Sequence, residues 1–278
     1  MKKMHILDQD LEYIILILHK MKVGICTKVK DEQHIIREWV RHYLRLGFDR
    51  IIIYDDNSYP PVKKTLRDND NDAVIIIDTP TTNQAEAYKD GLSRCEDLDW
   101  VLLCDADEFI WTDGRDLKLY LTSAPEQVGT ILLNWLTYGT SGIIKMRSDI
   151  SIFQQFISRE PYISYLNGYV KSFVRPKMAD IHIWVHISYS PHRLVACADG
   201  TIIRNIKALS RSERVAPISL GKMPILLVHY MTLDYETMAR KSVRNKSLTD
   251  IGDKYTLEWY ERTFTDSVID RRMMVYDI

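Results

Sequence analysis

The feature that most constrains this chain is an alternation of short apolar runs with amphipathic segments over its first 110 residues. The apolar runs cover residues 21–27, 50–54, 73–77 and 99–104. Between them, apolar side chains recur at helical spacing in residues 32–46, 62–68 and 84–95, and Gly47 follows the first of these helices as a C-cap. Strands that are apolar on both faces and alternate with helices are typical of βαβ units. We therefore expect an α/β fold with a parallel sheet covered by helices.

Polar side chains follow three of these predicted strands at the point where each strand ends. Asp55 and Asp56 follow the second strand, Thr79 follows the third, and Asp105 and Asp107 follow the fourth. In open α/β sheets, ligands bind at the carboxyl ends of the strands. The sequence therefore predicts a ligand site at this edge of the sheet.

The stretch WVLLCDADEF, residues 100–109, places three carboxylates within four residues directly after a buried strand. Such carboxylates repel one another and lose solvation unless a cation or strong hydrogen-bond donors lie among them. The spacing of Asp105 and Asp107 suits one hard divalent ion, Mg²⁺ or Mn²⁺, which keeps open positions for phosphate oxygens and neutralises a diphosphate leaving group. The alternative is that these acidic residues cap the turn after the strand.

The second half of the chain predicts a mixed α+β arrangement that packs onto the first sheet. Strands are expected at residues 130–138, 171–174, 181–187 and 225–229, and helices at residues 235–244 and 256–262. We predict one domain over residues 21–278, with a nucleotide-binding half at about 21–110 and an acceptor-side half at about 111–278. Residues 1–20 are predicted to be an N-terminal extension, whose apolar run is far shorter than the roughly 20 residues of a membrane span.

Charge and cysteine content narrow the classes of partner and compartment. Lysine plus arginine number 37 against 38 for aspartate plus glutamate, which gives a net charge of −1 and no reason to expect nucleic acid as a partner. The cysteines Cys26, Cys95, Cys104 and Cys197 are scattered without metal-ligand spacing. We expect the protein in the reducing cytoplasm, either free or at the periphery of a membrane, and without a transmembrane segment. The sequence leaves the oligomeric state open.

Several blocks of the sequence resemble one enzyme group. The runs KVKDEQHIIREWVRHYLRLGFDRIIIYDDNS (residues 28–58) and DWVLLCDADEF (residues 99–109) are similar to motifs of the family 92 and family 2-like glycosyltransferases. KSFVRP (residues 171–176) and His229-Tyr230 resemble two later blocks of the same group. The matches keep their order and extend over about residues 23–241.

This resemblance implies a GT-A fold, a nucleotide-sugar donor and a divalent ion held by the DxD pair. By position, Thr27, Lys30 and Glu32 lie beside the nucleotide, and Asp55 or Asp56 meets its base or ribose. Asp105 and Asp107 bind ribose and metal, and His229 is a further metal ligand. The diphosphate charge is offset by Lys171, Arg175 and Lys241, because such cations bind phosphate oxygens. The implied reaction is a Leloir-type transfer, with UDP as the default nucleotide, a hexosyl or deoxyhexosyl group, and inversion.

The acceptor side departs more from the group's pattern. Residues 139–142, Gly-Thr-Ser-Gly, resemble its Gly-Ser-Ser-Gly loop, but Ile143 stands where histidine is common. Ser141, Trp135 and His186 are the candidate contacts to a glycan or other hydroxyl acceptor. The alternatives are a core aromatic for Trp135 and a polar strand face for His186 together with His182.

An inverting transfer requires a general base for the acceptor hydroxyl. Asp149, shortly after the glycine-containing loop, and Glu108, beside the metal pair, are the candidates, although each is equally a helix cap or a structural partner.

Two other functions compete with glycosyl transfer: a haloacid-dehalogenase-type phosphohydrolase, and a catalytically silent protein that binds sugar nucleotides. The phosphohydrolase fits poorly, because the DxD motif follows the fourth strand rather than the first, and Phe109 stands where that class has Thr or Val.

Overall fold

The computed structural model of the chain describes residues 21–67, 71–79, 83–206, 215, 220–246 and 253–277. The predicted extension at residues 1–20 lies outside the described residues. Within them the strands and helices alternate in the order predicted for the first half of the chain. The four cysteines are buried free thiols, and no helix of the described part is long and apolar enough to cross a membrane.

The parallel half of the main sheet contains four strands, and helices lie between them along the chain. The strands are β1 (Val23–Val29), β2 (Arg50–Asp55), β3 (Val74–Asp78) and β4 (Trp100–Leu103), and their spatial order is β3-β2-β1-β4. The helices are α1 (Ile36–Arg45), α2 (Val62–Thr65) and α3 (Gln84–Ser93). The parallel βαβ arrangement is therefore confirmed, and the carboxyl ends of β1, β2 and β4 meet at one edge.

The sheet continues beyond β4 with strands of the second half. These are β6 (Val128–Thr137), β8 (Val170–Val174), β9 (Leu194–Cys197) and β10 (Ile202–Ile203), in the order β4-β8-β6-β9-β10. Strand β8 runs antiparallel to both β4 and β6. This arrangement confirms the predicted fold class, an α/β, Rossmann-like sheet of the GT-A type with a mixed C-terminal half packed on it.

A second group of strands connects the acidic turn to the C-terminal half. Strand β5 (Glu108–Trp111) pairs with β11 (Leu226–His229), which also pairs with the last residues of β6. His229 is thereby in register with Glu108. The remaining elements are α4 (Leu117–Thr122), α5 (Ile152–Gln155), β7 (Ser158–Arg159), α6 (Tyr235–Lys246), α7 (Leu257–Thr263) and β12 (Val268–Ile269).

Helix α1 shows how the core supports the site. Its Trp39 and Tyr43 are fully buried, and the Trp39 indole N–H and the Tyr43 hydroxyl each donate to the backbone carbonyl of Glu108 at 3.0 Å. Removing a buried aromatic side chain of this size costs about 3–5 kcal/mol. Gly47 ends the helix at φ +82°, a conformation that glycine adopts without a Cβ penalty. The helix therefore fixes the backbone of the acidic turn.

The strand predicted at residues 181–187 is wrong. Apart from one isolated bridge between His182 and Tyr189, these residues form an irregular loop. The loop's polar groups are satisfied by side chains instead of a strand: the Lys171 ammonium donates to the Val185 carbonyl at 3.1 Å, and the Ser172 hydroxyl donates to the His186 carbonyl at 3.1 Å. His182 and His186 consequently do not share a strand face.

Candidate active site

A cavity of about 370 Å³ opens at the carboxyl ends of β1 and β4. It is lined from the β1 side by Lys28, Lys30 and Glu32, and from the β4 side by Asp105 and Asp107. The other contributors lie far apart in sequence and include Gln84, Trp135, His186, His229, Lys241 and Arg244. The predicted edge of the sheet therefore carries a cavity, and residues from the second half of the chain complete its wall.

The DADE turn is held in shape by its own hydrogen bonds. The Glu108 carboxylate accepts the Asp105 backbone N–H at 2.8 Å, and the Glu108 N–H donates to the Asp105 carbonyl at 3.2 Å. Glu108 itself is fully buried and does not line the cavity. Burial raises the pKa of its carboxyl group well above the usual range. This placement makes Glu108 a support beneath the turn, and it does not favour the predicted role as general base.

Asp105 is paired with a lysine that is completely buried. Lys171 Nζ lies 2.8 Å from Asp105 Oδ2 and 3.9 Å from Glu108 Oε1. Burial alone would raise the pKa of Asp105, but the positive charge of Lys171 outweighs it, and the pKa of the carboxyl group is lowered. Gln84, at the start of α3, donates to the other oxygen of Asp105. Asp105 is thus kept ionised and oriented from two sides.

Asp107 meets two groups from the C-terminal half. His229 Nε2 lies 3.4 Å from Asp107 Oδ1, and Lys241 Nζ lies 2.7 Å from Asp107 Oδ2. The backbone N–H of Tyr230 donates to the Asp107 carbonyl at 2.9 Å, which fixes the end of β11 against the turn. Burial opposes ionisation of Asp107, but Lys241 and His229 overcome it and lower its pKa strongly.

The donor set around Asp107 suits a hard divalent ion. Within the part of the chain that the structure describes, no three histidine, cysteine or carboxylate side chains form a complete metal-binding cluster. Mg²⁺ and Mn²⁺ nevertheless bind in many enzymes through one or two carboxylates, with substrate phosphates and water as the other ligands. Asp107 with the neighbouring His229 imidazole, and Asp105 two residues away, fit that mode. The buried Nδ1 of His229 has no hydrogen-bond partner, so its ring is not committed elsewhere.

An aromatic wall lines the cavity beside the acidic turn. Trp135 lies where β6 leaves β8 and pairs with β11, and its ring centroid is 4.1 Å from that of His229 and 5.3 Å from that of His186. The Trp135 indole N–H is buried without a partner. Burial, together with the charge of Lys171, lowers the pKa of His186 to about 3, so this imidazole is neutral. The wall therefore offers flat apolar surface and an unused hydrogen-bond donor.

The residues predicted beside the nucleotide divide into two groups. Lys30 and Glu32 line the cavity, whereas Thr27 is fully buried and does not. Asp55 accepts the backbone N–H groups of Ser58 and Val62, so its carboxylate organises the turn before α2. Asp56 does not line the cavity directly, but it pairs at 2.7 Å with Lys28, which does.

Three other predicted site residues lie away from the cavity. Arg175 donates to the Val128 carbonyl and stacks over the Trp100 ring at 4.2 Å, at the amino end of β4. The Ser141 hydroxyl accepts the backbone N–H groups of residues 157 and 158. Asp149 is exposed, pairs with Arg147 at 2.6 Å and lines a different cavity. These positions give no support to the predicted diphosphate, acceptor and base roles of Arg175, Ser141 and Asp149.

Sequence reasoning missed several residues of the cavity wall. Gln84 follows the third strand, so the rule that ligands bind at carboxyl ends was a usable signal for it. Arg244 matched no motif in the sequence, yet it lies three residues from Lys241, and side chains three apart share a face of a helix. Tyr255 and Lys254 carried no motif in the sequence.

Comparisons with known proteins agree with the blocks found in the sequence. The model of a protein family described as glycosyltransferase family 92 matches residues 19–257. A family 92 protein of Arabidopsis thaliana is 28% identical over 261 residues, which cover 87% of this chain and 40% of the relative. One from Oryza sativa subsp. japonica is 27% identical over 134 residues, covering 44% of this chain and 22% of the relative. The chain thus spans less than half the length of these curated relatives.

Solved structures give weaker likenesses. A mannosyltransferase of Pyrobaculum calidifontis, in complex with GDP-Man and Mn²⁺, aligns with a TM-score of 0.33 and 19% identity, covering 40% of this chain and 34% of that one. A 4-diphosphocytidyl-2C-methyl-D-erythritol synthase of Anaerococcus prevotii aligns with a TM-score of 0.34 and 11% identity, covering 58% of this chain and 73% of that one. Scores of this size carry no conclusion about substrates.

Proposed function

Because this chain belongs to glycosyltransferase family 92, we propose that its cavity binds a nucleotide-sugar donor and that the chain transfers the sugar to a hydroxyl acceptor. The observation that carries the proposal is the convergence of Asp105, Asp107 and His229 with two buried lysines at one edge of the sheet. A bound nucleoside diphosphate uses both the cationic and the acidic side chains, since the cations bind its oxygens and the carboxylates bind its metal ion.

The metal ion of the proposal is Mn²⁺ or Mg²⁺, held by Asp107 and His229 with help from Asp105. When bound, such an ion neutralises charge on the diphosphate leaving group. The chain supplies the surroundings: Lys241 and Arg244 reach the cavity from one face of α6 and offset phosphate charge. Lys171 keeps Asp105 ionised and in position from below.

The sugar of the donor, instead of the acceptor expected from the sequence, is proposed to lie against the aromatic wall of Trp135 and His186. Trp135 and His186 present ring faces, which suit the apolar face of a pyranose, and the unpartnered indole N–H of Trp135 suits one of its hydroxyl groups. A UDP donor, a hexosyl or deoxyhexosyl group and inversion follow from the resemblance to the family 92 and family 2-like group and belong to this proposal. So does a cytoplasmic location, which the four free thiols favour.

The proposal is tested by thermal shift with a panel of nucleoside diphosphates and nucleotide sugars, each with and without Mn²⁺. A ligand that binds only the folded state raises the free energy of unfolding by mass action, by about 2.7 kcal/mol when its free concentration is a hundred times its Kd. The midpoint temperature rises as a result. We expect a shift that requires Mn²⁺ and disappears in Asp107→Asn. The matched control is Asp97→Asn, an exposed aspartate paired with Arg50 outside the cavity, which should keep the shift.

The same panel separates the competing functions. Release of free nucleotide from a nucleotide sugar together with formation of a glycosylated acceptor, both lost in Asp107→Asn, supports a transferase. Nucleotide binding with no release, even with a range of sugar acceptors, supports the silent binding protein. No nucleotide binding, together with Asp107-dependent hydrolysis of p-nitrophenyl phosphate, would refute the proposal in favour of a phosphohydrolase.

A further inference from the structure

A second cavity, of about 490 Å³, adjoins the candidate active site. Lys30, Glu32, Lys241 and Arg244 line both cavities and form the boundary between them. The far side of the second cavity is built from the loop that follows β1, from Tyr59 and from the α6 residues Thr237 and Arg240. A molecule bound there would therefore lie next to one bound at the acidic turn.

Positive charge without a carboxylate partner distinguishes this cavity. Among the described residues, neither Lys30 nor Arg240 has a carboxylate partner, and Arg240 makes one hydrogen bond, to the Thr237 hydroxyl at 2.7 Å. The two acidic residues in the lining are engaged by other groups: Asp31 accepts the Tyr59 backbone N–H at 2.9 Å, and Glu32 Oε1 lies 3.9 Å from Arg244. The cavity is thus prepared for an anion, because uncompensated guanidinium and ammonium groups bind phosphate and carboxylate oxygens with charge-assisted hydrogen bonds.

Two buried polar atoms of the lining have no hydrogen-bond partner. They are Glu32 Oε2 and His34 Nε2, which lie 3.5 Å apart, and Glu32 is only 9% exposed. A buried polar group without a partner is costly, so these two atoms indicate a polar ligand. Burial, and then the charges of Lys241 and Arg240, lower the pKa of His34 to about 4, so its imidazole is neutral and suits a hydroxyl group.

Tyr59 adds a platform at the rim of the cavity. Its side chain is 90% exposed and belongs to the lining. An aromatic ring with one free face is the common surface on which the apolar face of a sugar packs. A cationic end, a pair of unpartnered hydroxyl-binding atoms and a ring at the mouth together describe a charged carbohydrate.

We propose that the second cavity is the acceptor subsite and takes a sugar that carries an anionic group, a phosphate or a carboxylate. Lys30 and Arg240 bind the anion, Glu32 and His34 bind a hydroxyl group of the acceptor, and Tyr59 packs on its ring. Glu32 lies on the boundary of the two cavities, so the hydroxyl that it binds is the one nearest the donor. The inference rests on the proposed function and names the substrate class of the same site.

The test is isothermal titration with three probes, glucose 6-phosphate, glucuronate and glucose, on the full chain saturated with Mn²⁺ and the nucleotide found by thermal shift. We expect one or both anionic probes to bind at least roughly tenfold more tightly than glucose, since a charged hydrogen bond contributes about 1.5–3 kcal/mol. The two anionic probes distinguish a phosphate from a carboxylate. Arg240→Gln should weaken the anionic probe by a similar factor, and the exposed control Arg147→Gln, outside both cavities, should not.

Three results would overturn the inference. They are equal binding of glucose and the anionic probes, unchanged binding in Arg240→Gln, and probe binding to the nucleotide-free chain that is lost once the nucleotide is added, which would assign the second cavity to the donor. Failure of the proposed function itself is distinguishable, because it appears earlier, as absence of any nucleotide binding by the unmodified chain. Nucleotide binding without probe binding refutes only the acceptor assignment.

Discussion

Asp107 and Lys241 are 134 residues apart in sequence, yet Lys241 Nζ lies 2.7 Å from Asp107 Oδ2 and both side chains are about nine-tenths buried. The pair joins the turn after the fourth strand to helix α6. The Lys241 ammonium also donates to the Met231 carbonyl at 3.1 Å, so it is held both by the acidic turn and by the segment that follows β11. The parallel half-sheet and the C-terminal half are therefore coupled at the very residues proposed to bind the donor.

Lys241→Met should destabilise the protein and weaken nucleotide binding. The substitution leaves the Asp107 carboxylate buried with only His229 beside it, and breaking a buried pair in this way costs about 3–5 kcal/mol. Urea unfolding gives the loss of stability, and titration with the nucleotide gives the loss of affinity. Lys241→Arg keeps the charge and should recover much of both, whereas Lys63→Met, which removes an exposed surface pair with Asp78, should leave them nearly unchanged. Full stability in Lys241→Met would contradict the assigned role of the pair.

Lys171→Met should be destabilising for the same physical reason at Asp105. Lys171 is fully buried and also lies 3.9 Å from the Glu108 carboxylate, so its removal leaves two acidic groups facing each other. We expect a loss of about 3–5 kcal/mol, and a smaller loss in the double variant Lys171→Met with Asp105→Asn. A double-mutant cycle in urea measures this coupling. Simple additivity of the two single variants would show that the pair is not coupled.

The acidic turn and the parallel half-sheet were predictable because their signals are local. Strand and helix periods alternate within short windows of sequence, and the strand ends follow directly from them, so Asp105 and Asp107 were placed at the correct edge. The direction of β8 carries no such signal. Because this strand runs antiparallel to β4, the run KSFVRP delivers Lys171 to Asp105 but carries Arg175 toward the amino end of β4, away from the site.

The residues of the proposed acceptor side are brought together by contacts between segments far apart in the sequence. Local sequence patterns do not predict such contacts. His186 reaches the cavity from an irregular loop held by Lys171 and Ser172, although its apolar neighbours indicated a strand. Ser141 resembled an acceptor loop by motif, yet its hydroxyl is used by the backbone of residues 157 and 158. The second cavity joins residues 30–34, Tyr59 and α6, which no single motif connects.

The stability of the protein should fall as the pH decreases below about 6.5, and His42 should contribute to the slope. Burial lowers the pKa of His42 to about 3, while its ring nitrogen Nε2 lies 2.9 Å from the Ile110 carbonyl. Below the pKa of the unfolded chain, the unfolded state binds a proton that the folded state does not. The free energy of unfolding therefore falls by about 1.4 kcal/mol per pH unit for this one group between pH 6.5 and pH 3.

His42→Gln is the variant that tests this slope, because a glutamine amide can still donate to Ile110 but does not titrate. Its stability at pH 7.5 should be lower, since the imidazole packs against Phe109 and Tyr276. Between pH 6.5 and pH 5 its free energy of unfolding should fall less steeply than that of the unmodified chain. The difference in slope should be that of one proton, about 1.4 kcal/mol per pH unit. Urea midpoints measured across this range decide the matter, and parallel pH profiles would exclude His42 as a source of the acid sensitivity.

Trp135→Phe should separate recognition of the sugar from recognition of the nucleotide. Phenylalanine keeps the ring beside His229 and most of the packing but removes the indole N–H, which is buried, unpartnered and part of the cavity wall. If that N–H binds a sugar hydroxyl, affinity for the nucleotide sugar falls by roughly tenfold, the value of about one hydrogen bond. Affinity for the nucleoside diphosphate alone should be unchanged, because its proposed contacts are the acidic turn and α6. An equal loss for both ligands would assign Trp135 to the general shape of the cavity instead of to the sugar.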